Sequence, residues 1–91
     1  MYNFGQAIEA AKQGKKVARE GWNGKKMFVY QMPGYDNIPA NEATSKRLGV
    51  EVGTQIKVRP YLAMFDAQGY VVPGWLASQT DILAEDWVIL N

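Results

Sequence analysis

The segment VAREGWNGKKMFVYQM, residues 17–32, holds two short runs of strand-forming residues on either side of an Asn-Gly pair. Asn-Gly suits a two-residue type I′ turn, because both central residues of that turn need positive φ. Val17 to Glu20 and Met27 to Met32 are therefore predicted as antiparallel strands with a tip at Asn23 and Gly24. In the second strand Phe28, Tyr30 and Met32 point to one face, and Met27, Val29 and Gln31 to the other. Trp22 sits directly beside this tip, where the chain is normally wet. An indole there asks for a reason beyond strand pairing.

Outward toward the N-terminus, Phe4, Ala7, Ile8 and Ala11 recur at the helical period and form a narrow, alanine-rich stripe. Asn3 is a good N-cap, Gln6 can reach back to it, and Gly14 stops the helix near Lys12, Lys15 and Lys16. A stripe of small residues lets a helix sit close to a sheet. Outward in the other direction the pattern breaks between residues 33 and 54, where Pro-Gly, Asp-Asn and Pro39 forbid a clear strand. A short helix capped by Asn41, running through Leu48 and closed by Gly49, is the one element expected in this variable excursion. Gln55 to Arg59 alternates as a strand, Pro60 interrupts it, and Tyr61 to Phe65 resumes. Asp66-Ala67-Gln68-Gly69 is turn chemistry, so Tyr70 to Val72 should pair back on Tyr61 to Phe65. Ser78 to Asp81 has capping-box form and opens one helical turn, and Trp87 to Leu90 closes the chain as a buried strand. The expected fold is α+β: an N-terminal helix packed on an antiparallel sheet of about five strands, with one or two short extra helices, in a single domain over residues 1–91.

Composition narrows the chemistry. The 91 residues include no cysteine and no histidine, so a thiol nucleophile is absent and zinc or iron would lack its usual ligands. No metal and no cofactor is expected. Ten basic and nine acidic residues leave a net charge of +1, which argues against a strong nonspecific binder of a nucleic acid polymer. No run approaches a membrane span and no signal peptide opens the chain, so no membrane partner and a cytoplasmic location are expected. Three Trp, five Tyr and three Phe are a heavy aromatic load for so small a core. Some of them are expected on a subunit interface or in a pocket.

Candidate chemistry is sparse. Asp81, Glu85 and Asp86 could form an acid pair, yet capping and surface charge explain each of them without catalysis. Ser78 and Thr80 have no activating partner in sequence. Phosphate recognition lacks a Walker or dinucleotide glycine pattern; what remains are backbone N–H groups near Gly21, Gly24 and Gly74, the Ser78 turn, and Arg59. Trp87, inside an apolar run, reads as core. Trp22 and Trp75 flank loops, and two readings stay open for them: plugs for the end of the sheet, or flat platforms for a planar ligand such as a nucleobase.

Three stretches taken in order carry a resemblance: FGQAIEAAKQGKKVAREGWNGKKMFVY, RPYLAMFDAQGYVVPGW and LASQTDILAEDW, and within them GWNGK followed much later by the LASQTD helix turn. Together they resemble the second family of phage proteins that counter Thoeris defence, over all but the 33–54 region. The resemblance implies a sponge that binds cyclic nucleotide immune signals, notably cyclic ADP-ribose isomers such as glycocyclic ADP-ribose, and holds them uncleaved in the cytoplasm of the infected host. Cyclic oligonucleotides are also implied as ligands, as is a homotetramer with pockets shaped by more than one subunit. It further implies Trp22 and Trp75 as stacking walls, Asn23 and Gly24 at the rim, and Gln79, Thr80 and Asp81 as readers of base or ribose. Arg59 would serve the phosphates, and Phe28 and Ser78 complete the ligand-binding set. Such a protein needs no general base, which suits a chain without His or Cys. An enzyme that degrades the same signal, and an inhibitor that binds an immune effector directly, are the alternatives.

Overall fold

A computed structural model describes residues 1–22 and 26–90. Helix α1 (Phe4–Lys12) is followed by β1 (Lys16–Arg19), a 3-10 turn (Glu20–Trp22), β2 (Phe28–Met32), β3 (Tyr35–Pro39) and α2 (Glu42–Leu48). Then come β4 (Gln55–Val58), β5 (Tyr61–Phe65), β6 (Val71–Pro73), α3 (Gln79–Leu83) and β7 (Trp87–Leu90). Five strands form one antiparallel sheet in the order β6-β5-β2-β1-β7, and β3 pairs with β4 in a separate two-stranded sheet. The fold is α+β.

The ends of α1 are fixed by local chemistry. Asn3 Oδ1 accepts from the Gln6 N–H and Gln6 Oε1 accepts from the Asn3 N–H, both at 2.9 Å, which satisfies two otherwise orphaned donors. At the other end Gly14 adopts φ +88°, and the N–H groups of Gly14 and Lys15 donate to the carbonyls of Ala11 and Ala10. This paired closure needs a left-handed residue at Gly14. Between the caps, Ala7, Ala10 and Ala11 are buried, and their small size brings α1 down onto β1, β2 and β7.

The core lies between α1 and one face of the large sheet. Val17, Val29, Met64 and Trp87 point into it with Ala7 and Ala10, and Phe4, Trp22, Leu62, Trp75 and Ile89 pack around them. Val17 and Val29 face each other across the β1/β2 ladder and are 1% and 0% exposed, each burial stabilising by about 1.5–3 kcal/mol. Alternation then sends Phe28 and Tyr30 to the opposite face, where Phe28 stacks on its cross-strand partner Phe65 at 5.2 Å. Lys16 lies over the Phe28 ring at 4.9 Å. No described element of this chain covers that second face.

Two expectations are corrected. β1 and β2 pair antiparallel as expected and Asn23 and Gly24 lie outside the described residues, but Glu20 does not extend β1: residues 20–22 form a 3-10 turn. The cause is tertiary. The Glu20 N–H donates to the Asp86 carbonyl at 3.0 Å and the Gly21 N–H to the Asp86 carboxylate at 2.9 Å, which draws the chain off the β1/β2 ladder after Arg19. The second correction concerns the 33–54 excursion. Its helix and caps are as expected, with Asn41 Oδ1 accepting from the Thr44 N–H and Gly49 at the C-cap. It also contains β3, whose Asp36, Asn37 and Pro39 are poor strand formers. That strand exists because it pairs with β4, with Ile38 opposite Ile56 and Tyr35 opposite Val58 around a bulge. β3, α2 and β4 thus make an arm, and β4 belongs to it rather than to the large sheet.

Candidate functional site

Trp22, Trp75 and Trp87 converge where the 3-10 turn, the segment after β6 and the start of β7 meet. Trp22 lies 5.5 Å from Trp87 at 77°, and each of these rings lies 6.4 Å from Trp75 at 78°. Such edge-to-face contacts are the favoured geometry of aromatic quadrupoles and add about 0.5–1.5 kcal/mol per pair beyond area burial. Trp87 is 1% exposed, and its indole N–H donates to the Asp81 carbonyl at 2.9 Å. It is core, as its sequence setting indicates.

Trp22 and Trp75 are half-buried, so each is partly plug and partly open. Trp22 opens onto a cavity of about 520 Å³, shared with Lys16, Arg19, Lys26, Phe28 and Val88. Trp75 opens onto a different cavity of about 350 Å³, shared with Lys12, Gln31, Tyr61 and Leu62. Within one chain their perpendicular planes do not form the two parallel walls of a single slot. The Trp22 cavity falls in the size range of small-ligand sites. Its wall joins Trp22 and Phe28 to the basic residues Lys16, Arg19 and Lys26 and the acidic Glu20.

A three-residue ionic cluster stands behind that wall. Arg19 Nε donates to Asp86 Oδ1 at 2.8 Å and Arg19 Nη1 donates to Asp81 Oδ1 at 3.0 Å. The other oxygens are also used, Asp86 Oδ2 by the Gly21 N–H and Asp81 Oδ2 by the Ser78 N–H. All four carboxylate oxygens therefore have a donor, and the Arg19, Asp81 and Asp86 side chains are only 17%, 14% and 27% exposed. The Arg19 hydrogen bond, and after it the Gly21 N–H, hold the Asp86 carboxyl below its ordinary range. The same bonds to Asp86 and then Asp81 raise the Arg19 guanidinium further above its ordinary range. An acid locked as carboxylate makes a good anchor and a poor proton donor.

The remaining sequence-predicted residues are dispersed. Phe28 is at the Trp22 cavity. Ser78 and Asp81 form the capping box of α3, with Ser78 Oγ accepting from the Asp81 N–H at 3.0 Å, and Gln79 and Thr80 are exposed on the same turn. None of these four lines the Trp22 or Trp75 cavity. Arg59 lies at the base of the arm with Lys57, Tyr35 and Asp36 around a cavity of about 360 Å³. Pro60 is common to that cavity and the Trp75 cavity, and Arg59 does not line the Trp22 cavity. Asn23 and Gly24 are outside the described residues. Sequence reading missed Lys16, Lys26 and Arg19. Lys16 reaches the cavity only through the β1/β2 pairing, and Arg19 meets Asp86 across 67 positions, a separation that leaves no local pattern.

Two comparisons with known proteins bear on the family of this chain. The Thoeris anti-defense 2-like domain is the family whose model matches residues 2–90. A curated relative, Thoeris anti-defense 2 of Bacillus phage SP01, is 34% identical over 91 residues, an alignment that spans 98% of this chain and 94% of the relative.

Proposed function

Because the chain belongs to the Thoeris anti-defense 2-like family, we propose that it counters Thoeris immunity by binding a cyclic nucleotide signal and withholding it, uncleaved, from the effector in the infected host. The ligand class is a cyclic ADP-ribose isomer, glycocyclic ADP-ribose foremost, with cyclic oligonucleotides as further candidates. The observation that carries this reading is the Trp22 cavity. The half-buried Trp22 ring offers stacking to a purine, and Lys16 and Lys26 offer positive charge to a pyrophosphate. The two acids beside it favour holding over hydrolysis, because Asp81 and Asp86 are both hydrogen-bonded to Arg19.

A sponge must bind tightly. Nanomolar affinity corresponds to about −12 kcal/mol, whereas one stacked base supplies about 1–3 kcal/mol. A single open cavity is insufficient, so contacts from a second subunit belong to the reading, and the uncovered sheet face around Lys16, Phe28 and Tyr30 is where a partner would close it. A homotetramer is the proposed assembly.

The test is calorimetry of the intact protein against glycocyclic ADP-ribose, other cyclic ADP-ribose isomers and cyclic dinucleotides, followed by heating and mass analysis of the released ligand. Binding with unchanged ligand mass is the expected result. Altered ligand would assign the protein as a degrading enzyme, and no binding by any nucleotide would favour an inhibitor that acts on the effector itself. Trp22→Ala is expected to weaken uptake severely, to a residual affinity that calorimetry at high ligand concentration still reads, while native mass spectrometry still shows the tetramer.

A further inference from the structure

Trp22 belongs to a three-residue turn with no buried residue of its own, so its orientation must be imposed from outside. The imposing groups are identifiable. Asp86 takes the Glu20 N–H on its backbone carbonyl and the Gly21 N–H on Oδ2, leaving Trp22 as the next residue. Arg19 fixes the same carboxylate through Oδ1 and ties it to Asp81 at the start of α3. The Asp81 carbonyl in turn receives the Trp87 indole N–H, and Trp87 is the ring against which Trp22 packs. Space is tight as well: a Cβ on Gly21 would lie 3.0 Å from Asp86 Oδ2.

We propose that Asp86 and Arg19 are positioning residues that hold the Glu20–Trp22 turn so that the Trp22 ring faces the cavity it shares with Phe28 and Lys16. Neither residue has to touch a ligand for this to matter. The consequence for affinity rests on the sequestration reading above, whereas the consequence for the Trp22 ring does not. A planar fork is needed, because one cation must serve two carboxylates in fixed directions. Lysine at position 19 keeps the charge and loses the fork.

The experiment compares wild type, Trp22→Ala, Asp86→Asn, Arg19→Lys and Gly21→Ala by near-UV circular dichroism, far-UV circular dichroism and calorimetry with glycocyclic ADP-ribose. Trp22→Ala defines the near-UV contribution of the ring in the three-indole cluster. Asp86→Asn is expected to lose that same contribution with its far-UV spectrum intact, and to weaken binding about tenfold or more, the worth of a displaced stack. In the Trp22→Ala background Asp86→Asn should cost nothing further in affinity. Arg19→Lys should fall between wild type and Asp86→Asn. A near-UV spectrum of Asp86→Asn that matches wild type, or affinity losses that add fully in the double variant, would overturn the proposal. Gly21→Ala crowds the carboxylate without removing a charge, and gives the same two readings should Asp86→Asn fail to fold. If wild type binds no nucleotide the sequestration reading falls, and the near-UV comparison alone still decides the clamp.

Discussion

At the residue scale the three tryptophans have different tasks set by burial. Trp87 is enclosed by Phe4, Trp22 and Trp75, and Trp87→Ala is expected to lower unfolding free energy by about 3–5 kcal/mol in a urea titration. Trp22 is open on one side, so Trp22→Ala should cost less stability than Trp87→Ala in the same titration while costing more affinity. Asp86 supplies a pH dependence of known sign. Its folded-state pKa is depressed below the ordinary 3.8 by Arg19 and the Gly21 N–H, so the unfolded chain takes up the proton first. Its contribution to stability is complete above the ordinary value and is lost as pH falls below 3.8 toward the folded-state pKa. Thermal melts between pH 6 and about pH 2 should show a steeper acid loss for wild type than for Asp86→Asn.

At the scale of elements, caps and turns were legible because their chemistry is local. The Asn3–Gln6 box, the Asn41 cap and the Ser78–Asp81 box all occur where the residue types place them. Asn3→Ala is expected to destabilise by about 1 kcal/mol by chemical denaturation. Asp66 folds the β5/β6 turn as expected, its Oδ1 accepting from the N–H groups of Gln68 and Tyr70. Two elements escaped for one reason, that distant partners outweighed local preference. Glu20 to Trp22 leave the ladder because Asp86 accepts from the Glu20 and Gly21 N–H groups, and β3 is a strand because β4 pairs with it. The arm carries a steric requirement at its base: Gly34 has φ +82° and a Cβ there would lie 2.6 Å from the Val58 carbonyl oxygen. Gly34→Ala should therefore lower the melting temperature and loosen hydrogen-exchange protection across β3 and β4, with less effect on β1 and β7.

At the scale of the whole molecule, α1 covers one face of the large sheet, and among the described residues no helix packs on the opposite face. Phe28, Tyr30 and Phe65 line up on the uncovered face with Lys16, and the Trp22 cavity borders it. Apolar periodicity and caps were enough to announce a helix on an antiparallel sheet, since burial with period 3.6 or 2 depends only on neighbours along the chain. The quoted motifs were likewise enough to announce the family to which the comparisons assign residues 2–90. What the sequence alone determined is therefore α1 with both its ends, the short helices with their caps, the β5/β6 hairpin and Trp87 as core. Only the tertiary structure decided that Trp22 and Trp75 stand perpendicular and open onto separate cavities, that Arg59 sits at the arm base, and that Asp81 and Asp86 are bound to Arg19. Those facts depend on which residues meet across tens of positions: the alternation of a strand fixes the face it buries, but not which distant segment becomes its neighbour.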